Sequence, residues 1–358
     1  MQLCDPVRAD DHAGRPSRLS ARGRPTRAAR ALGAEVVIAR RLDDALTTGR
    51  FAVTAELGPP RDPDSALIRA AAEVFAGLVD AVNVTDNQAA TVKVSALACA
   101  ALLLDEGVDP VLQITGRDRN LMAVQSDLLG AWVLGVRTVL VLSGDPLAVG
   151  PYDALATHVP DLDARRLARL ITTMNGGSLA AGETLRQPTA FRIVGAANPL
   201  VDSPERLTSK LDSGVTLLQS NIVYDVERFA DWLSPLVRLG ITERAPLLVG
   251  VAPPRNRRML EYLHRNIPGV EVDDGTFARM DGLEGNVAKA EGIEIAADLV
   301  EQLRSMPGVA GVHLMAPGWE TEAVPWLVER AGLAYRSHTS SDGSQAAQTK
   351  GAHVNGDE

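Results

Sequence analysis

The stretch Phe51-Ala52-Val53-Thr54-Ala55-Glu56-Leu57-Gly58-Pro59-Pro60 decides the fold class. Its first six residues are mostly apolar or β-branched and end on an acid, the pattern of a strand buried on both faces. A doubly wound nucleotide-binding sheet would place a glycine-rich phosphate turn after its first strand. Here the turn is Leu57-Gly58-Pro59-Pro60, with a single glycine and two prolines. That turn disfavours the open sheet.

Outward from this stretch one grammar repeats: a short β-branched run, a polar turn carrying Gly, Pro or Asp, then a longer segment with helical spacing. The strand candidates are residues 51–56, 81–84, 111–115, 138–142, 191–196, 216–222, 247–251 and 311–315. Helix punctuation agrees. Asp62 is expected to cap a helix starting at Pro63, and Gly77, Gly107, Gly135, Gly214, Gly240 and Gly332 stand where helices should stop. The long connection 148–187 should contain a helix at 164–175 and cover one end. Eight such units predict an α/β protein, specifically a closed (β/α)8 TIM barrel.

A barrel of ordinary size takes about 250 residues, which the 358 residues here, 46% of them hydrophobic, supply as one domain. Helical pattern begins near Ala34, so the domain should span 34–336. Segment 1–33 is rich in Arg, Ala and Pro, and segment 337–358 in Ser, Gly, Gln and Asp, compositions expected to be disordered.

A formal net charge of −9 argues against the broad basic surface that nucleic acid or an anionic membrane selects. A small-molecule partner is expected instead. Cys4 and Cys99 are the only cysteines and have no metal-ligand spacing, which suits a reduced, cytoplasmic protein. No run approaches the roughly 18 apolar residues of a membrane span, and Asp10 and Asp11 interrupt the arginines that would otherwise resemble a transit peptide.

In a barrel the chemistry lies at the C-terminal ends of the strands. Those ends read Glu56, then Thr85-Asp86-Asn87-Gln88, then Gln113 and Thr115 before Gly116-Arg117-Asp118, then Ser143-Gly144-Asp145. The apolar neighbours of Glu56 predict a desolvated carboxyl suited to general acid work. Asp145, beyond Gly144 in a polar turn, should stay ionised. Two carboxylates in unlike environments can divide acid and stabilising roles, although Glu56 paired to a rim arginine and Ser143-Gly144-Asp145-Pro146 as an ordinary turn are equally open. Gln219 and Asn221 alternate with apolar residues, so both amides should share one strand face, facing either a heterocycle or a satisfied core. Arg206 and Lys210 stand four apart on a helix beginning near Ser203, as a phosphate site or a solvated face. His313 has no second ligand at metal spacing and is read as a core histidine.

These residues resemble the methylenetetrahydrofolate reductase family, over about residues 51–333. Ala55-Glu56-Leu57-Gly58-Pro59-Pro60 is similar to the end of the family's first strand. Thr115-Gly116-Arg117-Asp118-Arg119-Asn120 and Leu142-Ser143-Gly144-Asp145 are similar to its third- and fourth-strand motifs, and Ile222-Val223-Tyr224-Asp225 to the aromatic run after its substrate amide. The phrase Val312-His313-Leu314-Met315-Ala316-Pro317-Gly318-Trp319-Glu320 looks closest to the branch of anaerobes with a folate one-carbon pathway, some of whose members work with a small partner protein.

The resemblance implies NAD(P)H-dependent reduction of 5,10-methylenetetrahydrofolate to 5-methyltetrahydrofolate through a bound FAD, or FMN, in the one-carbon metabolism that serves methionine biosynthesis. It implies Glu56 as the acid for the departing folate nitrogen and Asp145 as the anion that stabilises the iminium. It places Thr85, Gln88, Gln113, Ser143, Gly144, Asp145, Arg206 and Lys210 at flavin contacts, and Asn221, with Gln219 beside it, at the pterin amide. Several positions depart from the family: many relatives carry His at Gln113, Arg at Ser143 and Gln at Asn221. Family substrate contacts also fall on Met259, Leu263 and Trp319. These departures keep two alternatives in view, a flavin-free or altered-substrate iminium reductase and a weak folate-binding subunit that needs a partner. NADH against NADPH stays open because no Rossmann fingerprint occurs, and a homo-oligomer is equally open.

Overall fold

The computed structural model of the protein describes residues 41–333. The short apolar runs become eight strands: β1 (Ala52–Leu57), β2 (Ala81–Val84), β3 (Pro110–Thr115), β4 (Thr138–Leu142), β5 (Arg192–Ala197), β6 (Leu217–Ile222), β7 (Leu247–Val251) and β8 (Val309–Leu314). Each pairs in parallel with its neighbours in sequence, and β8 returns to β1, closing the barrel as predicted.

Helices return the chain between strands. They are α1 (Arg41–Thr48), α2 (Ser65–Phe75), α3 (Ala96–Asp105), α4 (Leu121–Leu134), α5 (Ala164–Asn175) and α6 (Pro204–Asp212). The second half has α7 (Val226–Arg238), α8 (Ile241–Arg244), α9 (Arg257–Asn266), α10 (Asp274–Arg279), α11 (Gly285–Arg304) and α12 (Glu320–Arg330). The predicted helix at 164–175 is α5, capped by Asp163 through Arg166 N. All six glycines expected to stop helices take positive φ, as at Gly135, where φ is 106° and the amide reaches back to Ala131 and Trp132. One start is corrected: α2 is capped by Asp64, whose carboxylate accepts from Ala66 N, whereas Asp62 serves only through its carbonyl in the turn before it. The ends expected to be disordered, 1–33 and 337–358, lie outside the described residues, as does the helical pattern near Ala34. Among the described residues no helix is long and apolar enough to cross a membrane.

Strand alternation sorts the core into layers. Outward-facing Val53, Val82, Leu112, Val139, Ile193 and Val249 pack under the helices. Inside, Ala52, Ala81, Val111, Leu140, Val194, Leu217 and Leu248 form an apolar floor, closed from below by Leu42 and Ala45 of α1. One residue pair further along, the interior turns polar, with Thr54, Asn83, Gln113, Gln219 and His313 all buried. That polar layer supports the mouth.

Candidate active site

Glu56 is the last inward residue of β1, and only 7% of it is exposed. Register sets it beside Asn83 on β2 and sets Thr54 beside His313 on β8. His313 is fully buried, with Nδ1 2.9 Å from the Thr54 hydroxyl and Nε2 3.8 Å from Glu56 Oε2. His313 Nε2 and Asn83 Oδ1 have no hydrogen-bond partner, while the Asn83 amide donates across the barrel to Gln219 Oε1 at 2.9 Å. Burial of His313 follows the core reading, but the ring is more than filler: its Nε2 is the basic nitrogen nearest the Glu56 carboxyl among the contacts of the described residues. The alternative of a rim arginine is thereby displaced.

Asp145 lies in a different setting. It is exposed on the turn after β4, where Gly144 takes φ 89°, and its Oδ2 accepts from Ala89 N at 2.7 Å. Arg117, itself buried, donates to the Asp145 carbonyl at 3.0 Å and the Asn87 carbonyl at 3.2 Å, and forks onto Asp118 at 2.6 and 2.7 Å. Arg119 forks onto Asp86, which also accepts from the amide and hydroxyl of Thr115. The third-strand motif is thus a strut joining the loops after β2, β3 and β4. Nothing in local spacing pairs Asp86 with Arg119, so sequence reasoning named both residues but missed their pairing. The β2 loop is strained, with φ of 47° at Asn87, 54° at Ala89 and 49° at Ala90, a region costly for residues bearing a Cβ. Thr85 is buried at its start and Gln88 is exposed at its tip.

A cleft of about 410 Å³ opens between the ends of β4 and β5, and it brings Ser143, Arg206 and Lys210 together with Asp163 and Arg165. Ser143 Oγ accepts from Ala164 N at 3.2 Å, holding the turn after β4 against the first turn of α5. Lys210 donates to the Ala196 carbonyl and to Asp202, both at 2.7 Å, and Arg206 Nε lies 3.2 Å from the other Asp202 oxygen. Asp202 was not predicted. Its signal was the spacing Asp202, Arg206, Lys210, which sets an acid just before the helix whose successive turns carry the two cations.

A profile of the family described as methylenetetrahydrofolate reductase matches residues 41–332. The chain belongs to the methylenetetrahydrofolate reductase family. Its barrel is similar to that of an uncharacterized protein from Clostridium thermocellum that binds two copies of 5-methyl-5,6,7,8-tetrahydrofolic acid. That likeness has a TM-score of 0.59 at 14% identity over 82% of this chain and 99% of that one. DmoA from Hyphomicrobium sulfonivorans matches at a TM-score of 0.48 and 11% identity, over 78% of this chain and 88% of its own. A search of curated proteins gives no significant match.

Within this reductase family framework several sequence expectations change. Gln219 and Asn221 do not share a face, because the β6–β7 register shifts between Gln219 and Ile222 and breaks the strict alternation. Gln219 points inward to Asn83, whereas the Asn221 amide donates to the Pro268 carbonyl at 2.9 Å and its oxygen accepts from Ile222 N. Asn198 donates to the same carbonyl at 3.1 Å, so the two asparagines clamp the 267–269 turn. The positions of reductase substrate contacts that fall on Met259 and Leu263 pack into the apolar cluster beside α10 and α11, and Trp319 is buried under the helices. Sequence reasoning passed over Glu320. It opens α12 against Gly58, and burial, with the charge of Glu56 adding to it, holds its carboxyl above the ordinary range.

Proposed function

We propose that the protein reduces 5,10-methylenetetrahydrofolate to 5-methyltetrahydrofolate at the expense of NADH or NADPH. The observation that carries this reading is Glu56, buried at the barrel mouth beside His313. Family membership supports it, as does the folate bound by the Clostridium thermocellum protein of the same fold.

Glu56 is placed to donate a proton to the ring nitrogen whose departure opens the five-membered ring of the folate. The carbon–nitrogen bond breaks as that nitrogen takes the proton, and an iminium cation remains for hydride to reach. Asp145, exposed at the neighbouring rim and fixed by Ala89 N, stabilises the cation by charge. Gln219 and Gln113, buried in the polar layer below, offer donor and acceptor edges suited to a pterin.

The cleft beside β4 and β5 fits the phosphate-bearing part of a flavin dinucleotide. Arg165, Arg206 and Lys210 line it, Ser143 supplies a hydroxyl, and the first turn of α5 borders it. Thr85, Gln88, Gln113, Gly144 and Asp145 would line the remainder of an FAD or FMN site. A bound flavin supplies two-electron transfer between the nicotinamide and the folate. A second reading follows from the same cleft, because Asp202 already pairs with two of its three cations, Arg206 and Lys210. In that reading the nicotinamide delivers hydride directly to the iminium.

The absorbance spectrum of the freshly purified protein separates the two readings, followed by NADH and NADPH oxidation with and without methylenetetrahydrofolate. Glu56→Gln should slow folate reduction by about 10²–10⁴-fold, the usual worth of a general acid. Where a flavin is bound, its reduction by NAD(P)H should stay within about tenfold of wild type. Equal slowing of both half-reactions would remove Glu56 from this role.

A further inference from the structure

The reduction assigned to this site consumes one proton per turnover. When the folate nitrogen leaves with the proton of Glu56, that side chain is left as a carboxylate with 7% of its surface exposed. A new proton must reach it before the next cycle. His313 cannot bring one from solvent, being itself fully buried.

Glu320 lies at the rim, close enough to this carboxylate to feel its charge. An added Cβ on Gly58 would lie 3.6 Å from Glu320 Oε1, so the carboxyl rests on the turn that leaves β1 two residues beyond Glu56. Glu320 is half-buried, and Pro317 and Gly318 just before it are exposed. Glu56 inside, Glu320 at the rim and open solvent beyond form a graded path.

We propose that Glu320 resupplies the proton of Glu56 between turnovers, in the reading of the site given above. The O–H of Glu320 breaks, its proton passes to the Glu56 carboxylate, and hydronium at the rim restores Glu320. No electron moves in these steps. Glu320 acts through Glu56 and is therefore a positioning, proton-supplying residue.

The surroundings suit a carboxyl that holds a proton. Burial pushes the group up and the negative charge of Glu56 adds to this, while its own backbone amide and those of Gly318 and Gly58 act in the opposite sense without reversing it. The charged group acting on it from a neighbouring element is Glu56 of β1. The nearby cation of α11, Lys289, is engaged by both oxygens of Glu322 at 2.8 and 2.7 Å.

The test compares wild type, Glu320→Gln and Glu320→Asp in the full-length protein, with methylenetetrahydrofolate as substrate. In Glu320→Gln the first turnover, which uses a proton already on Glu56, should match wild type. Steady-state turnover should fall by about 10²-fold, with the larger solvent isotope effect of a limiting proton transfer, and Glu320→Asp should restore much of it. Carboxyl-labelled glutamate NMR gives a readout independent of turnover: Glu56→Gln should move the Glu320 titration to lower pH. Steady-state turnover of Glu320→Gln equal to wild type, or a Glu320 titration indifferent to Glu56→Gln, overturns the proposal. A wild-type protein that does not reduce the folate at all overturns the reading of the site instead, and the proposal falls with it.

Discussion

His313 Nε2 stands 3.8 Å from Glu56 Oε2 and has no hydrogen-bond partner of its own. An unpartnered buried nitrogen costs about 1–3 kcal/mol, so the Nε2 edge of this ring detracts from stability, while Nδ1 is engaged by Thr54. His313→Leu should leave the melting temperature equal to or above that of wild type, since the Thr54 hydroxyl still reaches the Val312 carbonyl at 3.4 Å. In the proposed reaction folate reduction should fall by about 10²-fold, because the Glu56 carboxyl loses the polar neighbour beside it. Wild-type turnover in a folded His313→Leu protein would show that the contact is incidental.

Gly116 approaches the chain closely: a Cβ there would lie 1.8 Å from the Leu162 carbonyl oxygen and 2.7 Å from its carbon. Both atoms are backbone leading into α5, so Gly116→Ala must displace the segment that borders the cleft. Overpacking of this kind costs about 1–3 kcal/mol or more, and in the flavin reading proposed above affinity for added FAD should fall with stability. Gly130→Ala is the control. It lies inside α4 with its nearest neighbour, Leu97 Cδ2, 4.0 Å away, and should stabilise by about 0.5–1 kcal/mol. Thermal melts and flavin titration of both variants check the pair, and similar melting temperatures would refute the steric argument.

The barrel was legible because parallel strands buried on both faces carry unbroken apolar runs, and each strand lies within two residues of its predicted bounds at either end. Strand ends located Glu56 and Asp145 for the same reason. What stayed hidden depends on partners far apart in sequence. Asp86 meets Arg119, Glu320 meets Gly58, and Asn198 and Asn221 meet Pro268, contacts set by the closed sheet and its returning loops. The face of Asn221 was misread because a period of two presumes a regular ladder, and the irregularity between Gln219 and Ile222 leaves no mark in composition.

Lys210 and Arg206 share Asp202 but differ in exposure, with side chains 21% and 62% exposed. The exposed Arg206 pair should contribute at most about 1 kcal/mol. Lys210 donates to both Asp202 and the Ala196 carbonyl, and charge-assisted bonds of this kind are each worth about 1.5–3 kcal/mol. Lys210→Met should therefore lower the melting temperature more than Arg206→Met. In the flavin reading proposed above, both should also weaken binding of added FAD in a salt-dependent way. Equal melting temperatures for the two variants would contradict the ranking.

Two carboxyls at the mouth should impose opposite pH dependences on stability. Burial pushes the Asp118 carboxyl up, but hydrogen bonds from Arg117 and Asn87 outweigh it and hold the group below the ordinary aspartate range. Its contribution is present above the unfolded value of about 3.9 and is lost as pH falls through the folded one. Glu320 is shifted the other way, chiefly by burial. The stability linked to its proton is complete below the unfolded value of about 4.3 and is lost as pH rises through the folded one. In strong acid both side chains are neutral folded and unfolded, so Asp118→Asn and Glu320→Gln should each melt close to wild type. Towards neutral pH the curves should part in opposite directions, Asp118→Asn falling below wild type because the fork of Arg117 loses its anion, Glu320→Gln rising above it because no buried charge is left to form. Thermal melts from about pH 3 to about pH 8 resolve the two. Curves that run parallel to wild type throughout would mean that neither carboxyl is coupled to folding, and a Glu320→Gln curve that drops towards neutrality would mean that the Glu320 anion is stabilised where it stands.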